Sequence, residues 1–453
     1  MRAAHAAALD TAAGQSIFCQ GSEMKTTAEL SRAAAGCVAT IVAMLCAPAA
    51  FGQLFEHPSS TPIDPAYARK TELTHEAAMQ VPLSSFYDAP VPLGPGNAGT
   101  LLRTESVTNL PLPNGATAVR ILYRGRSPAD TPVTVSGIVL VPTGTPPAGG
   151  WPVIAWAHGT TDVERICAPS LSKDLGTYEW IEINSLLDMG YAVVATDYQG
   201  LGTQGQHPYL DKITNAWDTI YSVPAARSAV KSLSPRWVAM GHSQGGLAVA
   251  GVAELEATSK DPNYLGAVAI AGAWDAEKVV VRMNEPGADP LNAGYLAMFA
   301  RGLQAIDANY KPEQILSAQG MKRVQEEGQH CWEVEIAFTF DLPQGTVYKP
   351  EWRTNPTVRK IFERDRLHGP IAGPLLVIAS TDDESIPAKT TVDENIERLC
   401  AAHSDVQYVR FAGIGIDHDG TERATMGLRY RWIQDRFSGL PTHPNCGAHG
   451  PRS

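Results

Sequence analysis

The sequence lacks the spacings that mark most metal and nucleotide sites. It contains no H-x-x-x-H and no C-x-x-C pattern, so we expect no metal centre. Residues 417–420 form too short a segment for a calcium-binding EF-hand loop. Residues 200–203 are rich in glycine but lack the lysine of a phosphate-binding loop. We therefore expect a protein that needs no cofactor.

A surplus of basic residues is also missing. The 453 residues carry 36 Lys and Arg against 47 Asp and Glu, a net charge of −11, and no basic stripe is present. This balance argues against a nucleic-acid partner and favours solubility. Hydrophobic residues make up 44% of the chain and charged residues 18%, which is ordinary for a globular protein with a large core. Nothing in the composition indicates an oligomeric state.

The start of the chain has the pattern of an export signal. Met24 is followed by basic Lys25, an uncharged apolar stretch at 33–46 and small residues at 47–52. We therefore expect a cleaved leader over residues 1–52, with Met24 as the initiator and a secreted or periplasmic product. A membrane anchor is the alternative, although the Ala-rich run is only weakly hydrophobic. No later stretch is long and apolar enough to cross a bilayer, so we expect no membrane span after cleavage.

Cysteine is scarce, and its placement is informative. Four of the seven cysteines follow the leader, namely Cys167, Cys331, Cys400 and Cys446. An even number of cysteines in an exported chain predicts two disulfides. Four cysteines allow three connectivities, and the spacing alone does not choose among them.

Short apolar runs alternate with helical stretches along most of the chain. Strands are predicted at residues 133–141, 152–157, 191–196, 237–240, 267–273, 374–379 and 406–411. Helices are predicted at residues 181–189, 215–232, 394–402 and 421–437. This alternation predicts an α/β fold, in which a mostly parallel sheet carries helices on both faces.

Two regions depart from this alternation. Residues 53–100 are rich in Pro, Gly and polar residues, and we interpret them as an extended arm. Residues 275–370 hold no obvious parallel strand, and their apolar residues have helical spacing, so we interpret them as an inserted helical cap. The predicted organisation is thus an arm and first core part at 53–274, the cap, and a second core part at 371–453.

One stretch combines a strand, a tight turn and a helix. The apolar run 237–240 leads into a G-x-S-x-G motif centred on Ser243, and an Ala-rich apolar run follows. This is the setting of a nucleophile elbow, in which a strained serine projects its hydroxyl from the sheet edge. Gly241 and Gly245 are expected there because a Cβ would collide with neighbouring elements. The helix that begins after the serine directs its free N–H groups at developing negative charge.

A serine hydrolase of this kind needs an acid after the nucleophile, at the end of a strand. Asp383 follows the strand at 374–379 and is the acid we favour. Asp382 is next to it and fits the same spacing. Asp275, after the strand at 267–273, is a third candidate, and we expect both alternatives to be ordinary loop acids.

The triad also needs a histidine at the end of a later strand, and His418 follows the strand at 406–411. His403, His443 and His449 are interpreted as surface residues. In this scheme His418 takes the proton from Ser243, and the acid holds and stabilises the imidazole.

An acyl-transfer site also needs two backbone donors for the oxyanion. One is expected to be the N–H of Gln244, directly after the nucleophile. The other should lie in the loop after an early strand, and we assign it to the N–H of Thr160. His158 is expected to brace this loop rather than to transfer protons.

Several motifs together resemble one known family. The matching stretches are 86–87, 95–96, 101–103, W-A-H-G-T-T-D at 156–162, C-A-P-S at 167–170, D-Y-Q-G-L-G-T at 197–203, H-P-Y-L at 207–210, G-H-S-Q-G-G at 241–246, D-x-x-I-P at 383–387, Gly413 and His418. As a set, spread over residues 80–440, they are similar to the secretory lipases of fungi and bacteria, a branch of the α/β-hydrolases. The resemblance implies an α/β-hydrolase fold with its cap between the strands at 267–273 and 374–379.

The resemblance also implies roles for particular residues. It implies that Ser243, Asp383 and His418 are catalytic. One departure concerns the acid, since residues 380–382 read Ser-Thr-Asp where the family has a glycine-containing turn.

The disulfide pairing is implied by the resemblance as well. Cys167–Cys331 would tie the cap to the core, and Cys400–Cys446 would hold the C-terminal tail. Links of this kind typically contribute about 2–4 kcal/mol each.

The predicted function is a secreted carboxylic-ester hydrolase, a lipase or esterase, that acts on a small-molecule or lipid ester. A peptidase or an acyltransferase would use the same triad. A non-catalytic binding protein on a hydrolase scaffold is the alternative of a different class, and an intact triad disfavours it.

Overall fold

The computed structural model describes residues 64–90, 93–108, 110–176, 179–413 and 415–446. The fold below is that of the compact unit Pro65–Ser453. The predicted leader and His449 lie outside the described residues. Among the helices of the described ranges, none combines the length and the apolar character that crossing a bilayer requires.

One sheet forms the centre of the molecule. Its strands are β1 (Leu101–Val107), β2 (Thr117–Arg126), β3 (Pro132–Val141), β4 (Trp151–Ala157), β5 (Ala192–Thr196), β6 (Leu233–His242), β7 (Tyr264–Ile270), β8 (Leu375–Ser380) and β9 (Val406–Phe411). They lie in the order β1-β2-β3-β5-β4-β6-β7-β8-β9. The pairs from β1 to β3 and the pair β3–β5 are antiparallel, and all pairs from β5 to β9 are parallel. The predicted mostly parallel sheet is confirmed.

Helices occupy most of the chain between the strands. They are α1 (Pro65–Met79), α2 (Glu179–Asp188), α3 (Lys212–Ala229), α4 (Gln244–Ser259), α5 (Ala276–Met283), α6 (Asn292–Gly302), α7 (Ala318–Glu327), α8 (Trp332–Thr339), α9 (Pro356–Arg364), α10 (Ala388–Thr391), α11 (Asp393–Ala401), α12 (His418–Ala424) and α13 (Met426–Ser438). Every residue of β5 and β8 is buried, so both faces of these strands are covered. This explains why their sequences are continuous apolar runs rather than alternating ones.

The first helix corrects the expectation of an extended arm at 53–100. Helix α1 begins at Pro65, where the missing N–H of proline costs nothing, and contains good helix formers such as Ala, Lys and Glu. Only Ala68 and Glu72 of this helix are buried, so the sequence shows no apolar stripe. The helix is held from its polar side, where Arg69 Nε donates to the carbonyl of Ala337 at 3.2 Å.

Strands β1 and β2 are absent from the predicted set because charged residues interrupt their apolar patterns. Arg120 and Arg124 of β2 are nevertheless buried. Arg120 Nη1 contacts Glu105 Oε1 of β1 at 2.5 Å, which offsets the cost of burying the charge.

The chain between β7 and β8 is helical. Residues 275–370 contain α5 to α9 and no strand of the sheet. Apolar side chains whose spacing indicates a helix there are buried, namely Leu296, Phe299, Leu303 and Ile306. Helix α8 packs against both α6 and α1.

Both disulfides implied by the family resemblance are present. Cys167–Cys331 joins the segment after β4 to the N-terminus of α8, and Cys400–Cys446 joins α11 to the C-terminal tail. The Cα–Cα distance is 5.4 Å in each, within the usual range for a disulfide. The first link joins the helical segment covalently to the chain that follows the central strand β4.

The crossing between β4, β6 and α4 is so close that only glycine fits. A Cβ on Gly245 would lie 1.8 Å from the carbonyl oxygen of Ala157, and a Cβ on Gly241 would lie 2.6 Å from the same atom. At both positions the added Cβ would meet backbone atoms, which cannot move aside as a flexible side chain could. The two glycines of the motif are therefore explained by packing, as predicted.

Replacing Gly245 with alanine should destabilise the protein by about 3 kcal/mol or more, since the new methyl overlaps a central strand. Gly427→Ala is the matched control, because nothing lies within 4 Å of the position that its new methyl group would take in α13. That control should gain about 0.5–1 kcal/mol from the lower entropy of its unfolded chain. Urea unfolding followed by circular dichroism measures both changes, and equal midpoints for Gly245→Ala and wild type would contradict the close packing.

Candidate active site

Ser243 lies at the turn between β6 and α4. Strand β6 ends at His242 and α4 begins at Gln244, so the predicted strand, turn and helix are present. The backbone of Ser243 has φ 57° and ψ −118°, which is a strained conformation for a residue with a side chain. Its N–H donates to the carbonyl of Ile270 in the neighbouring strand at 2.9 Å. The strain is therefore held by the sheet, as a nucleophile elbow requires.

The three side chains proposed from the sequence are brought together at this turn. Ser243 Oγ lies 2.9 Å from His418 Nε2, and His418 Nδ1 lies 2.7 Å from Asp383 Oδ2. The other oxygen of Asp383 accepts the backbone N–H groups of Ser385 at 3.0 Å and Ile386 at 2.6 Å. His418 is the first residue of α12, and Asp383 follows β8. The arrangement forms one continuous hydrogen-bonded path from the hydroxyl to a buried carboxylate.

The alternative acids point elsewhere. Asp382 Oδ2 accepts the backbone N–H of Gly413 at 2.6 Å. Asp275 caps α5 by accepting the N–H of Lys278 at 3.1 Å. Among the three candidates, Asp383 is the one that contacts the imidazole. The alternative histidines His403 and His443 are exposed, as expected.

The glycine-free turn before Asp383 is held by a hydroxyl. Ser380 Oγ donates to the carbonyl of Ile416 at 2.5 Å and accepts the N–H of Asp382 at 3.0 Å. Because Ile416 lies just before His418, this serine links the turn of the acid to the loop of the histidine. A side chain thus braces this glycine-free turn.

The charges around His418 favour its protonated form. Burial alone would lower the pKa of His418, but the neighbouring carboxylates of Asp383, Asp419 and Glu384 raise it above its ordinary range. Burial opposes the charge of Asp383 too, yet the contact with His418 lowers the pKa of that acid below its ordinary value. Glu384 also accepts the backbone N–H of His418 at 3.1 Å. The imidazolium that forms during proton transfer is therefore well stabilised.

Replacing Glu384 with glutamine should move the acid limb of kcat/KM to lower pH. The amide keeps an acceptor for the N–H of His418 but removes a negative charge that raises its pKa, so the imidazole becomes neutral at lower pH. Glu394→Gln is the control, because that carboxylate is exposed and pairs with Lys278 and Arg398. An acid limb that stays in place or moves to higher pH would refute this role for Glu384.

His158 braces the loop after β4, as predicted. Its Nδ1 lies 2.6 Å from the carbonyl oxygen of Gly159, and its Nε2 lies 3.2 Å from that of Asp197. The ring packs on Tyr198 with centroids 4.3 Å apart. Burial lowers the pKa of His158 to about 4, so the ring is neutral near pH 7. Further along the loop, Thr160 Oγ1 shares a hydrogen bond of 2.8 Å with Tyr209 Oη.

The side chain of Gln244 has a structural task that the sequence pattern does not reveal. Its Nε2 donates to Asn215 Oδ1 at 3.1 Å and lies 2.9 Å from His207 Nε2. Burial lowers the pKa of His207 to about 3, so its ring is neutral and accepts this bond. The stretch at 207–210 contains His207, but the sequence does not indicate this contact.

Glu179 is a second residue that sequence reasoning missed. It is the first residue of α2 and is almost fully buried. Its Oε1 accepts the N–H of Gly159 at 2.7 Å, and its Oε2 accepts Trp156 Nε1 at 3.0 Å. No motif surrounds it, so no local pattern identifies it.

In the described part of the chain, no group of three or more His, Cys, Asp or Glu side chains is arranged to hold a metal ion.

Comparisons with known proteins identify a family and several relatives of this chain. A family model described as secretory lipase matches residues 170–445. A Mycobacterium tuberculosis protein named as a probable inactive lipase is 24% identical in an alignment of 384 residues, which covers 79% of this chain and 82% of that protein.

Two solved structures share the fold. Candida antarctica lipase A in its closed state has a TM-score of 0.68 at 17% identity, over 82% of this chain and 90% of that one. The rice cell wall degrading esterase LipA from Xanthomonas oryzae has a TM-score of 0.58 at 18% identity, over 75% of this chain and 97% of that one. These likenesses confirm the α/β-hydrolase fold. Because the family model covers more than half of the sequence, this chain belongs to the secretory lipase family.

Proposed function

We propose that the protein is an exported carboxylic-ester hydrolase in which Ser243, His418 and Asp383 cleave acyl esters through an acyl-enzyme. The observation that carries the proposal is the unbroken hydrogen-bonded path from Ser243 Oγ through His418 to Asp383 on a strained elbow. The family match and the fold support ester substrates, and the two disulfides fit an oxidising, extracytoplasmic location.

The reaction follows from this path in two balanced steps. Ser243 Oγ attacks the ester carbonyl carbon while its proton passes to His418 Nε2. The bond to the alcohol oxygen then breaks, and His418 returns the proton to that oxygen. Water next attacks the acyl-serine, gives one proton to His418, and the carboxylic acid leaves as Ser243 regains its hydrogen. Asp383 remains ionised and keeps the imidazole N–H pointed away from the serine.

The oxyanion is assigned to the backbone N–H groups of Gln244 and Thr160. Gln244 is the first residue of α4, where a helix N–H has no acceptor within its own helix. In the loop after β4, the N–H of Gly159 already donates to Glu179. We therefore assign the second oxyanion donor to the next backbone amide, that of Thr160. The hydrogen bond between Thr160 and Tyr209 supports a fixed position for this residue.

A non-catalytic role is the second candidate, because the M. tuberculosis relative is named as inactive. That description belongs to the relative. In the present chain, the hydroxyl, the imidazole and the carboxylate are all retained at hydrogen-bonding distance, which favours a working enzyme.

A fluorophosphonate probe separates the two candidates, since it labels only an activated serine. Peptide mapping should find the label on Ser243, and a panel of p-nitrophenyl esters of rising chain length should show turnover. Peptide substrates and added alcohols test whether amides are cleaved or acyl groups transferred instead. A chain that is neither labelled nor active on any ester would support the binding protein.

A further inference from the structure

Glu179 is a buried residue that contacts the loop to which we assign an oxyanion donor. Its side chain links β4 to the loop that follows this strand. It accepts hydrogen bonds from Trp156 Nε1 at 3.0 Å and from the N–H of Gly159 at 2.7 Å. The residue is only 3% exposed. Its carboxyl group therefore fixes the peptide plane between His158 and Gly159, which comes one peptide before the N–H of Thr160.

The same carboxyl group lies beside the proposed nucleophile. A Cβ built on Gly159 would be 3.1 Å from Glu179 Oε1 and 3.7 Å from Ser243 Cβ. The space that a side chain of residue 159 would fill thus borders both Glu179 and Ser243. Because Gly159 has no side chain, the carboxyl group of Glu179 can lie close to the backbone of the loop. Glu179 accordingly sits within the electrostatic reach of any charge that develops at Ser243.

We propose that Glu179 is a positioning residue for ester hydrolysis, which aims the N–H of Thr160 at the oxyanion and does so as an uncharged carboxylic acid. The inference rests on the proposed function, and it adds a residue that acts through the loop rather than on the substrate.

The surroundings of Glu179 favour its neutral form. The titratable groups that face it are the carboxyl groups of Glu422 and Asp419 from α12 and the phenol of Tyr198 after β5. Burial, reinforced by Glu422, raises the pKa of Glu179 to about 8, although the two N–H donors oppose the shift.

The imidazoles of His158 and His242 do not supply a positive charge to Glu179. Burial lowers the pKa of His158, after β4, and of His242, at the end of β6. On α2 itself, Glu182 pairs with Arg429 at 2.5 Å. The guanidinium of Arg429 is thus already paired with another carboxylate.

A neutral Glu179 suits the reaction because negative charge builds up on the substrate oxygen in the transition state. An ionised carboxylate beside the oxyanion site would oppose that charge in a poorly screened interior. Hydrolysis by the wild type should therefore decline as pH rises through the pKa of Glu179, near 8.

Two substitutions of Glu179 test the positioning role. Glu179→Ala removes the acceptor for Gly159, and kcat should fall by about 10²–10³, as when one oxyanion donor is lost, while KM changes by only a few-fold. Glu179→Gln keeps that acceptor and cannot ionise, so it should retain kcat within about tenfold of wild type and lose the alkaline decline. Glu256→Gln is the matched control, since Glu256 is also buried and accepts a backbone N–H, that of Asp261 at 3.0 Å, near the C-terminal end of α4.

A second readout does not depend on catalysis. The folded-state pKa of Glu179 lies above its ordinary value of 4.5, so its contribution to stability is full below pH 4.5 and is lost as pH rises towards 8. The urea midpoint of wild type should therefore fall relative to that of Glu179→Gln over this interval.

The outcomes separate the inference from the proposed function. If wild type hydrolyses esters and Glu179→Ala keeps its kcat, the positioning role is wrong. If the alkaline decline persists in Glu179→Gln, or the urea midpoints stay parallel, the neutral form is wrong. A wild type that is inactive on every ester refutes the proposed function and with it the catalytic part of this inference, whereas the urea comparison still decides the protonation state.

Discussion

Ser243→Ala is expected to lower ester turnover by about 10⁶, the loss seen when a triad nucleophile is removed. The oxygen that would form the acyl-enzyme is gone, and the remaining groups have no other nucleophile at 2.9 Å from His418 Nε2. Turnover of a p-nitrophenyl ester by purified wild type and variant measures the ratio. The variant should bind substrate normally, since only one oxygen is removed.

Ser228→Ala is the matched control for this loss. Ser228 is exposed on α3, and its hydroxyl donates only to the carbonyl of Pro224 within the same helix. Its turnover should equal that of wild type. Retention of more than a thousandth of the activity by Ser243→Ala, in a preparation free of wild type, would mean that another residue attacks the ester.

Asp383→Asn is expected to lower kcat by on the order of 10⁴, with little change in the fold. An amide at this position can donate to His418 Nδ1, which then accepts and leaves the N–H of the ring on Nε2, facing Ser243. The imidazole is thereby held in the tautomer that cannot take the serine proton. Replacement of the charge also removes the main stabiliser of the imidazolium.

Asp382→Asn separates the two adjacent acids. Asp382 contacts the N–H of Gly413 instead of the imidazole, so its amide variant should keep kcat within about threefold of wild type. Equal losses in the two variants would mean that the acid acts through the geometry of the turn. A larger loss in Asp382→Asn would reverse the assignment of the acid.

The elbow and the order of the triad could be predicted because each is written locally in the sequence. Ser243, Asp383 and His418 each follow an apolar run, and in a parallel sheet the ends of such runs meet at one edge. The nearly continuous apolar runs of the central strands also indicated the parallel part of the sheet. These features need only the identity of neighbouring residues and no knowledge of distant packing.

The features that could not be predicted depend on distant partners. Helix α1 has no apolar stripe, and β2 carries the buried Arg120, so both are stabilised by contacts that no local pattern shows. Glu179 reaches its position because α2 packs on β5 and its first residue meets Trp156 of β4. Glu384 likewise matters through the backbone of His418. Buried polar residues of this kind become visible only when the fold is known.

The Cys167–Cys331 bridge spans 164 residues of sequence, and Ser243 lies within the loop it closes. A protease nick anywhere between these two cysteines would leave both fragments in one covalent molecule, which would separate on a denaturing gel only after a reductant is added. A nick at 332–399 falls outside both bridged loops and would release two fragments without reduction. For a cut between Cys167 and Cys400, comparing the two gels thus tells on which side of Cys331 the chain has been cleaved.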